Sequence, residues 1–452
     1  MTISKTKIFI KVIIFAIISS LIFFMLEFLL VPSTIYTRVM MHELYNQKEP
    51  IDIAFIGASR IYRGINPQVF DEKLNVNSFN ASSSAQVVVD SYYILKEMYK
   101  KHSPKIVLID ITWSRLFTKE HTTQSEKVFN YYKFSQNKFL YLRDAFDSDR
   151  YIKAFIPALQ YANAYSMIAP KTMLKNAKGK LNMDYFTYDY ASVKYDDEWY
   201  VGKGFVYSEK SLKEKNFGKV ASSDEVRIEK QIWDSERVGE KNIEFFEKII
   251  RLCKENDSIP ILIGMPSPMP FMGAFNNYSD YSAFIEDLIS KNNVDYFDFN
   301  MIKRNVFERK DNYFNDSVHL SGEGGQLFSH VLSEFVSKYL DGSLKMDDYF
   351  YPSYDELMKN SSYVFNVWLE EEGNTNTYKA FTYAGSNVVT EFEFLYKSIN
   401  DEEFTILRPY SEDATIETNE FKNGSYIIRV NARSKDSDDH FQQYYEMKYS
   451  KK

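Results

Sequence analysis

The sequence is poor in the residues that staple or punctuate small folds. It carries a single cysteine, Cys253, in 452 residues, which excludes an internal disulfide framework and any multi-cysteine zinc site. Glycine (16) and proline (12) are scarce, so a collagen-like repeat and a Pro/Gly-rich low-complexity chain are excluded too. Positive charge is not in excess. With 55 Lys+Arg against 62 Asp+Glu the net charge is −7, and no overall field draws nucleic acid. Histidines number only six, which makes one in a suggestive setting easy to pick out. What is present is a normal core-forming balance, 44% hydrophobic and 26% charged, which excludes global disorder and a polytopic membrane protein. The 35 Tyr and 36 Phe suit contact with carbohydrate or a partner, or reflect a Lys/Asn/Tyr-rich proteome. The length predicts two or three domains.

The N-terminus sets the compartment. Ile8–Val31 is almost wholly apolar, interrupted near its end by Glu27, and long enough to cross a bilayer as a helix. Lys5, Lys7 and Lys11 precede or open it. The positive-inside rule then places the short tail in the cytoplasm and the remaining ~420 residues outside. A cleaved signal peptide is the rival, but the run exceeds the usual signal core and Pro32-Ser33-Thr34 is not a clear small-x-small cleavage site. The expectation is a cell-membrane protein with a single-pass anchor, a cytoplasmic N-terminus and an extracytoplasmic body. That placement removes ATP and NAD from the chemistry, and no cofactor is called for.

The body alternates buried-strand runs with amphipathic helices. Strand candidates are Ile51–Gly57, Lys105–Ile111, Ile259–Gly264 and Val294–Phe299. Between them lie a helix start at Asn66-Pro67, a helical rhythm over Ser84–His102, and Ile243, Phe246, Ile250 and Cys253 at helical spacing. Such alternation predicts an α/β parallel sheet covered on both faces, closed by a helix over Gly325–Tyr339. Between Trp113 and about Gly239 the rhythm disappears into a Tyr- and Lys-rich stretch, read as a largely helical and irregular cap insertion. After Leu340-Asp341-Gly342-Ser343 the pattern alternates in twos over Tyr363–Leu369, Tyr378–Tyr383, Val388–Tyr396 and Ser425–Ala432, with a turn at Asn423-Gly424. That predicts a small antiparallel β-sandwich. The expected domains are 1–31 tail and transmembrane helix, 32–50 juxtamembrane stalk, 51–340 α/β domain with the insertion at about 114–239, and 344–452 β domain.

Two fragments carry chemistry. Ser59 follows the first strand in Phe55-Ile56-Gly57-Ala58-Ser59-Arg60, at the carboxyl edge where parallel sheets bind ligands; by itself it reads equally as a turn or cap serine. Near the end of the α/β region stands Asn315-Asp316-Ser317-Val318-His319-Leu320-Ser321-Gly322. Asp and His three apart on a turn can pair so that the carboxylate orients an imidazole able to take a Ser proton; a loop motif or a metal-ligand pair is the bland alternative. Ser321 is placed to cap the closing helix.

Strand-Gly-x-Ser first and Asp-x-x-His-Leu last resembles the SGNH/GDSL hydrolase superfamily, and more closely its membrane-anchored branch near the proteins of teichoic-acid D-alanylation and alginate O-acetylation. The resemblance covers roughly Asp52–Leu340 without the insertion, and implies a three-layer, flavodoxin-like SGNH fold. It puts the nucleophile at Ser59, in Gly57-Ala58-Ser59 where Gly-Asp-Ser is usual, and the other catalytic residues at Asp316 and His319. The second family block falls on Phe79-Asn80-Ala81-Ser82-Ser83-Ser84, without its glycine. Oxyanion or substrate contacts are accordingly expected from the Ser82 backbone, Asn80 and Arg60. The third block, Gly-x-Asn-Asp, is absent; Ile111-Thr112-Trp113-Ser114-Arg115 stands there, and a missing oxyanion donor costs about 10²–10³ in rate.

The resemblance thus implies a serine O-acyltransferase or esterase on envelope polysaccharide or teichoic acid, working through an acyl-enzyme. It also implies a multi-pass membrane acyltransferase as partner, beside the bilayer contact of the N-terminal helix. A non-catalytic polysaccharide-binding or envelope-assembly protein on a decayed scaffold is the alternative. No metal site is expected; Asp196-Asp197-Glu198 reads as acidic surface or, less well, a calcium site. Arg63, like Arg60, steadies an anionic group or is a solvated or paired charge. Cys253 and Trp368 read as core.

Overall fold

The computed structural model describes residues 5–117, 123–162, 168–188, 194–195, 197–211, 233–273, 275, 277–373 and 376–451. It falls into two compact units, residues 1–208 with 238–261, and residues 209–237 with 262–452.

The first unit opens with helix α1 (Lys5–Leu30), whose apolar span, residues 7–30, holds an 18-residue stretch with a mean hydropathy of 2.7. Helix α2 (Tyr36–Asn46) follows, then strand β1 (Ile53–Ile56), every residue of which is buried. Helices α3 (Ser59–Gly64) and α4 (Pro67–Leu74) lead to β2 (Ser78–Asn80). α4 starts as its sequence demands: the Asn66 side chain accepts from the Gln68 amide, and Pro67 occupies the first turn. Helix α5 (Val88–Met98) crosses back to β3 (Ile106–Asp110), again buried throughout. β1 pairs in parallel with β2 (Ile53 opposite Ser78) and with β3 (Ile53 opposite Ile106). The runs of β1 (IAFI) and β3 (IVLID) are buried throughout and apolar up to the closing Asp110, as parallel strands covered on both sides require.

The segment after β3 is helical: α6 (Trp113–Phe117), α7 (Thr123–Tyr131), α8 (Gln136–Ala145), α9 (Tyr151–Phe155), α10 (Pro157–Ala162), α11 (Pro170–Leu181) and α12 (Met183–Thr187). It departs from the expected irregular cap in one respect. An antiparallel sheet forms from β4 (Lys194–Tyr195), β5 (Glu198–Gly202) and β6 (Phe205–Ser208). The tip of its hairpin lies on the free edge of β2. The Asn80 amide donates to the Lys203 carbonyl at 2.9 Å, and a side chain at Gly204 would stand 1.7 Å from the Asn80 carbonyl oxygen. With φ of +84°, glycine is the residue that position takes. The hairpin thereby covers an edge that would otherwise be open for pairing. Helix α13 (Glu240–Glu255) closes the unit with Phe245, Phe246, Ile249, Ile250 and Cys253 buried on one stripe.

Strand β7 (Ile259–Gly264) begins at the end of the first unit, where the Ile259 amide donates to the Lys105 carbonyl at 2.8 Å; the sheet order is β2-β1-β3-β7-β8. The second unit holds helix α14 (Tyr278–Asn292), β8 (Asp295–Asp298) and helix α15 (Gly322–Leu340). It continues into two antiparallel sheets, β13-β10-β9 and β12-β11-β14-β15. Their strands are β9 (Val364–Glu371), β10 (Thr377–Ala384), β11 (Thr390–Ser398), β12 (Thr405–Ser411), β13 (Thr415–Glu417), β14 (Gly424–Ser434) and β15 (Gln443–Lys451). Val364, Val367, Phe394, Ile428 and Val430 form the shared core of this sandwich.

Candidate functional site

In the first unit, Ser59 is the first residue of α3, two residues beyond Gly57. The turn is tight because nothing larger than glycine fits there. A Cβ on Gly57 would stand 2.3 Å from Ile61 Cγ1 and 2.8 Å from Asp110 Cβ. Ala58 is extended, and its carbonyl accepts from the Ile61 amide at 3.0 Å, so the chain turns from strand to helix within two residues, Gly57 and Ala58, and presents Ser59 at the carboxyl edge of β1.

The neighbouring edge supplies the Ser82 loop. The Ala81 amide donates to the Phe55 carbonyl at 2.8 Å, which places Ser82 just past the end of β2, beside the turn that carries Ser59. The Ser82 and Ser83 hydroxyls are buried without a hydrogen-bond partner among the described residues. They help line a cavity of about 210 Å³ together with Tyr62, Lys127, Tyr36 and Met40. Desolvation lowers the Lys127 amine below the usual lysine value. Asn80 stands differently from the expectation. It is fully buried, and its side-chain amide donates to the Ile61 carbonyl at 2.9 Å and the Ile65 carbonyl at 3.0 Å. Both amide hydrogens are thus committed to holding α3, which leaves the Asn80 side chain no donor for an oxyanion.

Beneath the turn lies a buried charge cluster that the sequence pattern did not single out. Arg115, in the stretch where Gly-x-Asn-Asp is absent, is buried on α6 and donates Nη1 to the Asp110 carbonyl and Nη2 to Ser91 Oγ, both at 2.7 Å. Its guanidinium is 3.8 Å from the Asp110 carboxylate. Arg60 is also buried, 5.7 Å above the Trp113 ring. Burial pushes the Asp110 carboxyl up, while the charges of Arg115 and Arg60 and the Ala58 amide oppose it. Asp90, bonded to Tyr141 and Ser125, is pushed up to about 6 by burial against the same kinds of opposing contacts. Arg60 accordingly sits beside Asp110 rather than in solvent. The one signal for this cluster was an acidic residue closing an apolar strand.

The second unit contains the Asp316–His319 pair. His319 Nδ1 lies 2.8 and 2.9 Å from the two Asp316 carboxylate oxygens. Asp316 Oδ1 also accepts the Val318 and His319 amides, each at 2.9 Å, and Oδ2 accepts Asn315 Nδ2 at 3.1 Å. Burial works to raise the Asp316 carboxyl, but the His319 contact and these amide bonds hold it at about 2. It is therefore ionised and can only accept, so Nδ1 is the donor in this contact. The turn is locked from outside: the Asn315 amide donates to the His319 carbonyl at 2.9 Å, Ser321 Oγ donates to the Asn312 carbonyl at 2.7 Å, and Ser321 caps α15 by accepting from the Gly324 amide.

The same unit holds a cleft of about 1190 Å³ with Trp368, Tyr383, Tyr351 and Tyr354 on its walls. Trp368 is half-buried rather than core; it stacks on Phe381 at 5.8 Å and donates Nε1 to Glu370. Glu286, Asp298 and Asp355 line the cleft, and no lysine or arginine is among its described walls. Cys253 is buried core, its thiol pushed up to about 12 by burial. Asp196, from the acidic run, lies outside the described residues; among the described residues no group of three or more His, Cys, Asp or Glu is placed to hold a metal ion.

No family model matches the chain, and no curated protein matches it. Solved structures resemble it distantly. A protein assigned as an acylhydrolase from Bacteroides fragilis NCTC 9343 shares 11% identity over 66% of this chain and 95% of its own, at a TM-score of 0.31. A GDSL-like lipase from Bacteroides thetaiotaomicron VPI-5482 shares 12% over 68% and 98%, at 0.30. A lipolytic protein of the G-D-S-L family from Desulfitobacterium hafniense DCB-2 shares 12% over 63% and 98%, at 0.27. At these scores the likeness carries no argument about activity, which has to come from this chain's own residues.

Proposed function

We propose that this protein is a membrane-anchored, extracytoplasmic serine esterase or O-acyltransferase of SGNH type that acts on envelope polysaccharide or teichoic acid. The Asp316–His319 pair carries the reading: an ionised carboxylate on Nδ1 orients the imidazole so that Nε2 can serve as the general base of acyl transfer. Ser59 Oγ attacks the acyl carbonyl as His319 Nε2 takes its proton. The tetrahedral oxyanion rests on the backbone N–H groups of Ser59 and Ser82. His319 then returns the proton to the leaving oxygen, and the acyl group passes from Ser59 to a sugar hydroxyl or to water. A multi-pass membrane acyltransferase supplies the acyl group where the outcome is transfer.

The anchored topology is supported by how α1 ends. Leu30, Val31 and Ile35 are buried with Ala158 and Tyr161 of α10, so removing α1 as a signal peptide would cut into a packed core. The aromatic walls of the Trp368 cleft suit the apolar faces of sugar rings, and its carboxylates favour, of the two substrates, a neutral or amine-bearing polysaccharide over polyanionic teichoic acid. A second reading, a non-catalytic glycan-binding protein, is favoured by one observation: the Asn80 amide is spent on α3.

The test uses full-length protein in detergent, as wild type, Ser59→Ala and His319→Gln, exposed to a fluorophosphonate probe and to a small acetyl ester. Labelling and cleavage lost together in both variants support the enzyme. Folded wild type that neither labels nor cleaves supports the binding protein.

A further inference from the structure

The cap segment does more around α1 than bury its last residues. The final turn of any helix leaves carbonyls without intrahelical donors, and here α11 supplies them. Lys180 Nζ donates to the Phe28 carbonyl at 2.9 Å and, at 2.7 Å, to that of Glu27, which also accepts the Val31 amide. Asn176 Nδ2 donates to those of Leu29 at 3.0 Å and Leu30 at 3.3 Å. Gly179 lies so close to the chain beyond α1 that a Cβ there would stand 2.2 Å from Ser33 Oγ. α11 is thereby fixed against the end of the apolar helix by side chains of its inner face.

Its outer face is exposed and apolar. Leu174 (56% exposed), Leu181 (72%), Met183 (67%) and Phe186 (61%) project from α11 and α12. Between them stand the exposed Lys171, Lys175 and Lys178, and α11 contains no acidic residue. A second apolar group adjoins the same cluster. Ile156 packs against Leu30, Val31 and Ile35, as does Met173; their chain neighbours Phe155 and Leu174 face outward. Phe155 continues to Phe139 at 6.2 Å and from there to Phe134 at 5.2 Å, and Ile152 and Phe134 are 72% and 77% exposed. Contiguous apolar surface of this kind on a soluble face marks an interaction site.

We propose that the exposed faces of α9–α12 and the Phe134–Phe139 corner form a seat that lies in the headgroup region of the bilayer crossed by α1. The inference rests on the reading of α1 as a membrane span. Given that reading, the seat follows from position: the bilayer surface must pass within about a turn of Leu30, where these side chains project. An apolar face sunk about 5–10 Å into the headgroup and acyl boundary, with lysines at the rim, is the form of an interfacial helix. The lysines add electrostatic attraction to an anionic surface.

The experiment uses the full chain in phosphatidylcholine vesicles, with and without phosphatidylglycerol, carrying one fluorophore at a time. Cys253 is buried and its thiol is held at about 12, so introduced cysteines take the label. The positions are Leu181→Cys and Ile152→Cys in the seat, Ile14→Cys in α1, and Lys73→Cys on exposed α4 as the aqueous reference. Quenching by nitroxide lipids about threefold or more stronger at Leu181 and Ile152 than at Lys73, and stronger still with phosphatidylglycerol, is expected. Lipid quenching at Ile14 with Leu181 and Ile152 as open to aqueous iodide as Lys73 overturns the seat and leaves the anchor. Aqueous access at Ile14 overturns the anchor and the seat with it. Protection of Leu181 and Ile152 that appears only in native membranes assigns the face to a protein partner and overturns the lipid seat.

Discussion

Asp316 meets His319 Nδ1 with both carboxylate oxygens, at 2.8 and 2.9 Å, while the amides of Val318 and His319 hold the same carboxylate from behind. The pair is rigid because its carboxylate is satisfied by the loop's own backbone. Asp316→Asn keeps the shape but lets Nδ1 lose its proton, so kcat for ester cleavage should fall by about 10⁴ with KM little changed. Steady-state kinetics on a small acetyl ester measures the split, and a fall confined to KM would remove Asp316 from the proton path.

The pH sign follows from the same contacts. The Asp316 carboxyl sits at about 2 in the folded protein, below the ordinary 3.8. Its contribution to stability is therefore complete above about 3.8 and lost as pH falls through 2. Between pH 4 and 8 the wild type and Asp316→Asn should show parallel unfolding midpoints, converging only in stronger acid. Midpoints that drift together already between pH 6 and 5 would contradict a carboxyl held so low.

Arg115 holds three buried groups at once: the Asp110 carbonyl, the Asp110 carboxylate and Ser91 Oγ. Arg115→Met should cost about 3–5 kcal/mol, because the Asp110 charge stays buried without its partner. Arg115→Lys should not rescue it, since one ammonium cannot span the two 2.7 Å contacts. Adding Asp110→Asn to Arg115→Met should recover part of the loss. Denaturant midpoints of the four proteins decide it, and strict additivity would argue against coupling.

Gly57→Ala places a methyl 2.3 Å from Ile61 Cγ1 and 2.8 Å from Asp110 Cβ. Overpacking of this kind costs about 1–3 kcal/mol and shifts α3, which begins at Ser59. Both the melting temperature and the rate of fluorophosphonate labelling at Ser59 should drop. A lowered melting temperature with an unchanged labelling rate would separate the turn's packing from the nucleophile's placement.

Trp368 is held edge and face by Glu370 and Phe381 and lines the acidic, aromatic cleft. Trp368→Ala should raise KM or Kd for a neutral glycan about tenfold, equivalent to 1.4 kcal/mol, while cleavage of a small acetyl ester stays as it was. Equal loss on both substrates would point to a folding effect instead.

Much of this protein was legible residue by residue. The strands β1, β3 and β7, the Asn66 and Ser321 caps, the buried stripe of α13 and the four alternating strands of the sandwich follow local rules of spacing and capping. Asp316 and His319 are readable for the same reason, because three residues on one turn suffice to join them. The cap hairpin was not legible: β5 and β6 are short, and what defines them is the contact of Lys203 and Gly204 with Asn80, more than a hundred residues away in sequence.

The amino-acid sequence by itself determined the buried strands β1, β3 and β7, the apolar stripe of α13, the membrane-length apolar helix near the N-terminus, and where a serine and an Asp-His pair stand on turns. Those properties depend on neighbours within a few residues, where periodicity and capping operate. Only the tertiary structure decided how the ambiguous polar residues are used. It committed the Asn80 amide to α3, drew Arg115 against Asp110, and set Lys180 and Asn176 on the last carbonyls of α1. A buried polar group must find its partner wherever the fold brings one, and sequence spacing carries no record of which partner that will be.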